Sequence, residues 1–285
     1  MKSYLNYKLQ QERYLLDSKG KPAGVVVKRQ TDRGKRDQEA FVELQKQFQL
    51  DEFNKNLVTI SNPLSFEAEQ FRMLRSFFLF PAAGSPARTL MVTSAVPGEG
   101  KSFVSTNLAI SIAQNINEYV VLMDCDVRRP TVHKNFGIRD DEGLSDYLSG
   151  DIPLHSLLYK TAINKLTILP GGRPVKNPAE LLSSPKMSQL LNELKSRYHN
   201  RYIIIDSPPP KLTSETNVIA RQVDGILLVI RYRSTPKKLV AELTETLGKE
   251  KILGVVINKC DFKSQMYSYN KFGRSINYYE SYYDG

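Results

Sequence analysis

The sequence predicts an α/β protein: one mostly parallel central sheet with helices on both faces. Six short apolar runs, Thr89–Thr93, Val120–Met123, Leu166–Leu169, Tyr202–Ile205, Ile226–Ile230 and Ile252–Ile257, alternate with stretches of helix length. That is the pattern of strands buried between two helical layers. The first run leads into a glycine-bearing loop and then into the helix-compatible stretch FVSTNLAISIAQ, the strand, loop, helix order that holds phosphate groups. A chain of 285 residues, 41% hydrophobic and 25% charged, can bury such a core without covalent staples.

Taken in order, residues 1–56 are rich in Lys, Arg, Gln, Glu and Asp, with one apolar patch at Val25–Val27. They are expected to form a charged, partly helical or disordered arm. Order is expected from Leu57, beginning with an amphipathic helix over Pro63–Phe80 that carries Leu64, Phe66, Phe71, Leu74, Phe77 and Phe78 at three- and four-residue steps. Residues 57–262 are read as the folded domain. Residues 263–285 lose the apolar periodicity and hold Tyr267, Tyr269, Tyr278, Tyr279, Tyr282 and Tyr283 among Ser, Asn, Gly and Lys. With no aliphatic partners this tail is expected to be mobile.

Composition excludes several classes. No run approaches the ~18 apolar residues of a spanning helix. The opening MKSYLNYKLQQERYLL lacks the apolar core and cleavage site of a signal peptide, so a cytoplasmic protein is expected. Cys125 and Cys260 are the only cysteines, without CxxC spacing, which argues against a disulfide framework or a zinc site. His133, His155 and His199 stand far apart with no acidic partner at ligand spacing and are read as structural or surface residues. A formal charge of +10 attracts phosphate-rich partners without choosing among nucleotides, lipid headgroups and nucleic acid.

The chemistry is concentrated in three segments. In Ser94-Ala95-Val96-Pro97-Gly98-Glu99-Gly100-Lys101-Ser102, Gly98 and Gly100 let backbone N–H groups approach a phosphate chain, Lys101 supplies a mobile cation and Ser102 a hydroxyl for a magnesium shell. Ala95 replaces the opening glycine of the G-x-x-x-x-G-K-[ST] pattern. The second apolar run ends in Asp124-Cys125-Asp126-Val127-Arg128-Arg129-Pro130 and the fourth in Asp206-Ser207-Pro208-Pro209-Pro210. Both deliver carboxylates to the strand edge where ligands bind in open α/β sheets, and three acids are expected to converge around one metal. Arg128 and Arg129 are expected to support those acids or a γ-phosphate.

With these residues in view, the chain from about Ser61 onward resembles the bacterial tyrosine kinases of capsule and exopolysaccharide synthesis. The likeness rests on SAVPGEGKS, VLMDCDVRRP continuing as TVHKNFG, GLSDYLSG, LPGGRPVKNPAELLSSPKM and IIIDSPPP. It implies a P-loop NTPase domain of the MinD/ParA-like architecture that uses ATP and Mg²⁺ to phosphorylate its own tyrosine tail in trans. By this resemblance Pro97, Gly98, Glu99, Gly100, Lys101, Ser102, Phe103 and Arg128 bind the nucleotide, and Ser102, Asp124 and Asp206 hold the metal. Lys101, Asp124, Asp126 and Asp206 are the catalytic set, with Asp126 favoured to orient or deprotonate the tyrosine and Asp124 nearer the metal, an assignment that could be exchanged. Glu69, Arg72 and Arg75 match an E-x-x-R-x-x-R oligomerisation motif and imply a ring. The resemblance also implies a separate membrane-anchored polysaccharide chain-length regulator as activator, peripheral placement at the inner membrane face through it, a counteracting tyrosine phosphatase, and no specific nucleic acid.

Asn258-Lys259-Cys260-Asp261 spells the N-K-x-D base motif of GTPases, but Asp206 is followed by Ser-Pro-Pro and not by D-x-x-G. Asn258 is therefore read as an adenine-side contact and the rest as coincidence. The rival reading is a MinD/ParA-type regulatory ATPase switch. It is disfavoured because Ser94, Ala95 and Val96 stand where such switches carry an extra lysine, and because of the tyrosine tail.

Overall fold

The computed structural model describes residues 28–29, 55–138, 142–196, 200–208 and 214–260. The described strands are β1 (Lys28–Arg29), β2 (Thr89–Ser94), β3 (Tyr119–Asp124), β4 (Tyr159–Lys160), β5 (Leu166–Leu169), β6 (Arg201–Asp206), β7 (Gly225–Arg231) and β8 (Ile252–Asn258). They form one sheet in the order β1-β4-β5-β3-β6-β2-β7-β8. Each of the six predicted apolar runs lies in one of its strands, and these six pair in parallel. The two-residue strands β1 and β4 pair antiparallel at one edge. Neither has a sequence signal, since two residues are too few to carry a period.

Alternation along the strands sorts the core into two layers. Met91, Met123, Ile203, Ile205, Ile226 and Leu228 face one side. There they meet Met187, Leu190, Leu191 and Leu194 of a helix over Pro185–Ser196, Ile219 of a helix over Glu215–Gln222, and Leu239, Leu243 and Leu247 of a helix over Lys237–Leu247. Leu90, Val92, Leu122, Ile204, Leu227 and Val229 face the other side, toward two helices over Phe66–Leu79 and Lys101–Ala113. In chain order the described helices are α1 (Val58–Ser61), α2 (Phe66–Leu79), α3 (Lys101–Ala113), α4 (Val132–Asn135), α5 (Leu144–Ser149), α6 (Leu154–Leu157), α7 (Pro178–Leu182), α8 (Pro185–Ser196), α9 (Glu215–Gln222) and α10 (Lys237–Leu247). The expected architecture, helices on both faces of a mostly parallel sheet, is the one observed. Among the described residues no helix is long and apolar enough to cross a membrane.

Leu57 is buried in the core, where order was expected to begin. The helix expected over Pro63–Phe80 is shorter, because Ser65 takes an extended backbone and its hydroxyl accepts the Ala68 N–H at 3.1 Å. This N-cap leaves Pro63 and Leu64 outside the helix, and Leu64 is exposed. The proposed tail, with Tyr267, Tyr269, Tyr278, Tyr279, Tyr282 and Tyr283, and all of the proposed arm before residue 55 except 28–29, lie outside the described residues.

Candidate active site

Strand pairing brings the acidic ends together. β6 lies between β3 and β2, with Asp124 opposite Asp206 and Asp206 opposite Val92. The loop after β2 therefore opens beside both carboxylates. Ala95 is buried and is not among the described residues with positive φ. An L-residue therefore serves where the motif usually has glycine. Gly98 and Gly100 do need to be glycine, with φ of +79° and +98°. At Gly100 a Cβ would also stand 2.1 Å from Asn258 Nδ2. Gly100 is the N-cap of α3, and no side chain caps that helix end. Its first N–H groups are available to an anion, and the helix dipole favours one there.

Lys101 Nζ lies 3.6 Å from Asp126 Oδ2. Asp124 is fully buried and accepts three backbone N–H groups, from Asp126 at 3.1 Å, Thr131 at 2.8 Å and Val132 at 2.9 Å. Asp206 is equally buried, yet neither of its carboxylate oxygens receives a hydrogen bond of regular geometry. Burial, together with the facing Asp206, raises Asp124 to about 8 despite the Val132 and Thr131 amides. Burial raises Asp206 to about 6, opposed by Lys101 and the Ser102 hydroxyl. The two titrate as a unit and hold less than two full charges at neutral pH.

A divalent cation suits this set, since both Asp206 oxygens are buried without a hydrogen bond of regular geometry, and the Ser102 and Ser105 hydroxyls and the Lys101 ammonium stand near them. Among the described residues no three His, Cys, Asp or Glu side chains are grouped closely enough to hold a metal by themselves. The three acids lie near one another, Asp126 adding to the charge felt by Asp124 and Asp206, and the Asp126 carboxylate pairs with Lys101. Magnesium is usually held by one or two carboxylates, with phosphate oxygens and water completing the octahedron.

Other expected residues fall as follows. The Glu99 side chain is buried and braces the loop, accepting from Val96 N at 2.9 Å and from the Thr235 hydroxyl. Only its backbone is left to meet a nucleotide. Phe103 packs its ring edge-on to Phe71, and Pro97 is exposed at the loop tip. Arg128 gives its Nε to Glu215 Oε1 at 2.7 Å, and not to Asp124 or Asp126. Glu69 and Arg72 pair at 2.5 Å on α2, while Arg75 reaches the Ser111 carbonyl at 3.0 Å in place of continuing the ladder.

Three residues were not singled out for the roles the structure gives them. Thr131 donates to Asp124 and places its hydroxyl 3.5 Å from that of Ser102. Buried Glu215 holds Arg128 from 87 positions away, a separation at which no local pattern operates. Lys259, set aside as coincidence, donates from Nζ to the Gly98 carbonyl at 2.8 Å, and Asn258 donates from Nδ2 to the Glu99 carbonyl at 2.8 Å. Its signal was present in the N-K dipeptide following the last strand.

Comparison with known proteins places this site in context. The family model ParA, described as NUBPL iron-transfer P-loop NTPase, matches residues 86–275. The chain is 34% identical over 206 residues to the tyrosine-protein kinase YwqD of Bacillus subtilis, covering 72% of this chain and 86% of that protein. It is 32% identical over 207 residues to the tyrosine-protein kinase etk of Escherichia coli K12, covering 72% of this chain but only 28% of that longer protein. The crystal structure of the chimerical protein CapA2B2 superposes with a TM-score of 0.67 at 30% identity, covering 72% of this chain and 90% of that one. The kinase domain of E. coli ETK gives 0.66 at 31% identity, covering 72% and 82%. MinD of Pyrococcus horikoshii OT3, complexed with Mg-ADP, gives 0.52 at 22% identity over 61% and 71%, a likeness of fold.

Proposed function

This chain belongs to the ParA-type P-loop NTPases and, within that fold, to the bacterial tyrosine-protein kinases, and from that membership we propose that it transfers the γ-phosphoryl group of ATP to tyrosines of its own C-terminal tail, in trans between subunits. The observation that carries the reading is the meeting of Lys101, Asp126, Asp124 and Asp206 beside the loop after β2, in a chain that spans 86% of a tyrosine kinase.

The residues divide the work. Backbone N–H groups from Gly98 to Phe103 bind the phosphates, and Lys101 follows the charge that develops on the moving group. Ser102, Asp124 and Asp206 would hold Mg²⁺, which neutralises phosphate charge when bound. Thr131 fastens Asp124 to the loop after β3 and stands beside Ser102. Asp126, less buried than Asp124 and held near Lys101, orients the incoming phenol and accepts its proton. The phenolic oxygen forms the new P–O bond as the bond from phosphorus to the β–γ bridging oxygen breaks, and ADP leaves. Catalysis is positioning plus charge neutralisation.

The same reading makes Glu69, Arg72 and Arg75 candidates for a contact between subunits of a ring. A membrane-anchored regulator on a separate chain would recruit the kinase to the inner face of the membrane, a tyrosine phosphatase would reset it, and the output would be control of polysaccharide polymerisation or export. Phosphotyrosine mapping after incubation with MgATP tests the core of this. Lys101→Met and a chain ending at Met266 are both expected to lose the signal. Nucleotide hydrolysis without phosphotyrosine in the full chain would favour the regulatory ATPase switch.

A further inference from the structure

The phosphate loop is tied to the end of β8 by two side chains in sequence. Lys259 Nζ donates to the Gly98 carbonyl and Asn258 Nδ2 to the Glu99 carbonyl, each at 2.8 Å. A trans peptide holds its C=O and N–H antiparallel in one plane. Fixing the Gly98 carbonyl toward β8 therefore turns the Glu99 N–H the opposite way. Fixing the Glu99 carbonyl does the same for the Gly100 N–H. Glu99, whose φ is not positive, lies between Gly98 and Gly100, whose φ is positive, and this alternation of hand gathers successive amides into a concavity on the other side.

We infer that Asn258 and Lys259 are positioning residues for nucleotide binding, which aim the Glu99 and Gly100 amides into the phosphate cradle before a nucleotide arrives. Two further features support the assignment. Lys259 itself has φ +55°, a backbone region unfavourable for a lysine and retained where surrounding contacts hold it. Gly100 lies so close to Asn258 that a Cβ would stand 2.1 Å from Nδ2. The Glu99 carboxylate completes the brace from β7 and the loop after it, through the Arg231 N–H at 3.4 Å and the Thr235 hydroxyl. Unoriented amides would have to be ordered by the nucleotide itself, at the expense of affinity.

This inference rests on the P-loop reading and is independent of which residue accepts the phosphoryl group, so it is tested by binding. Lys259→Gly removes the ammonium and relaxes the positive φ, so the nucleotide-free protein should melt no lower than wild type. Lys259→Asn, another residue that tolerates this region, is measured beside it. With MgADP as probe in calorimetric titration, both should bind about five-fold more weakly, the worth of one hydrogen bond of ordinary strength. Lys259→Arg should recover most of the loss. Weaker binding with unchanged melting, and rescue by arginine, is the outcome a merely structural lysine would not give. Wild-type affinity in both Lys259→Gly and Lys259→Asn would overturn the inference while leaving the nucleotide site intact. Failure of the wild-type chain to bind MgADP would overturn the nucleotide site and the inference together.

Discussion

The ends of β3 and β6 carry chemically identical groups in opposite circumstances. Asp124 closes β3 with three backbone amides on its carboxylate, so its own loop satisfies it. Asp206 closes β6, directly opposite, with two buried oxygens and no donor of regular geometry. A fold selected for stability alone would not keep the second, because a buried carboxylate without partners is costly. On the proposed reading, one carboxylate organises the site and the other would receive a cation that arrives with the nucleotide. Substitutions at the two positions should therefore part company.

The largest expected effect is at Asp206. Asp206→Asn should lower the rate of tyrosine phosphorylation on the order of a hundred-fold or more, since a lost cation contact forfeits several kcal/mol of charge stabilisation. The same variant should raise the melting temperature of the nucleotide-free protein, because a buried repulsion is relieved. Asp124→Asn should depress activity and melting temperature together, for its amide nitrogen would face N–H donors it cannot accept. Equal stability shifts in calorimetry would erase the distinction between the strand ends.

Next in size is Gly100→Ala. The new Cβ collides with Asn258 Nδ2 at a φ of +98°, so nucleotide affinity should fall at least ten-fold, on the scale of one to two kcal/mol of strain and lost contact. Titration with a fluorescent ADP analogue would read it.

The pH dependence of stability follows from the raised pair. Folded-state values of about 8 for Asp124 and about 6 for Asp206 exceed the ordinary 3.8, so the native state binds more protons than the unfolded chain between those limits. Nucleotide-free protein should therefore lose stability as pH rises from about 4 toward 8, a trend opposite to that of a salt-bridged carboxylate. Asp206→Asn should flatten the slope. A melting temperature that climbs over this range would contradict the assignment.

Smallest is Arg128→Ala. It leaves Glu215 buried with neither oxygen paired, but half of the arginine side chain is exposed and solvent can replace it in part. Stability should drop by roughly 1 kcal/mol in denaturant unfolding.

Much of this was legible in the residues, for identifiable reasons. A parallel strand buried on both faces has to be a continuous apolar run, which is why Tyr202–Ile205 and Ile226–Ile230 declare β6 and β7. Asp124, Asp206 and Lys101 are legible because they sit at fixed offsets from strand ends. Three-dimensional partnerships were not. That Asp126 turns to Lys101, or that Arg128 turns to Glu215, depends on which loops the sheet order brings side by side. Lys259 shows the boundary between the two: its motif was visible, but its partner is a backbone carbonyl 161 residues away, and a carbonyl leaves no mark in a sequence. β1 and β4 were missed because pairing at the sheet edge, and not side-chain pattern, defines them.

The magnesium dependence of ADP binding tests the central claim most directly, measured by calorimetry in the wild-type chain and in Asp206→Asn. If Asp206 is held open for the ion, magnesium should tighten ADP binding in the wild type and do so far less in the variant. The same magnesium dependence in both proteins would mean that the bare carboxylate at the end of β6 has some other purpose.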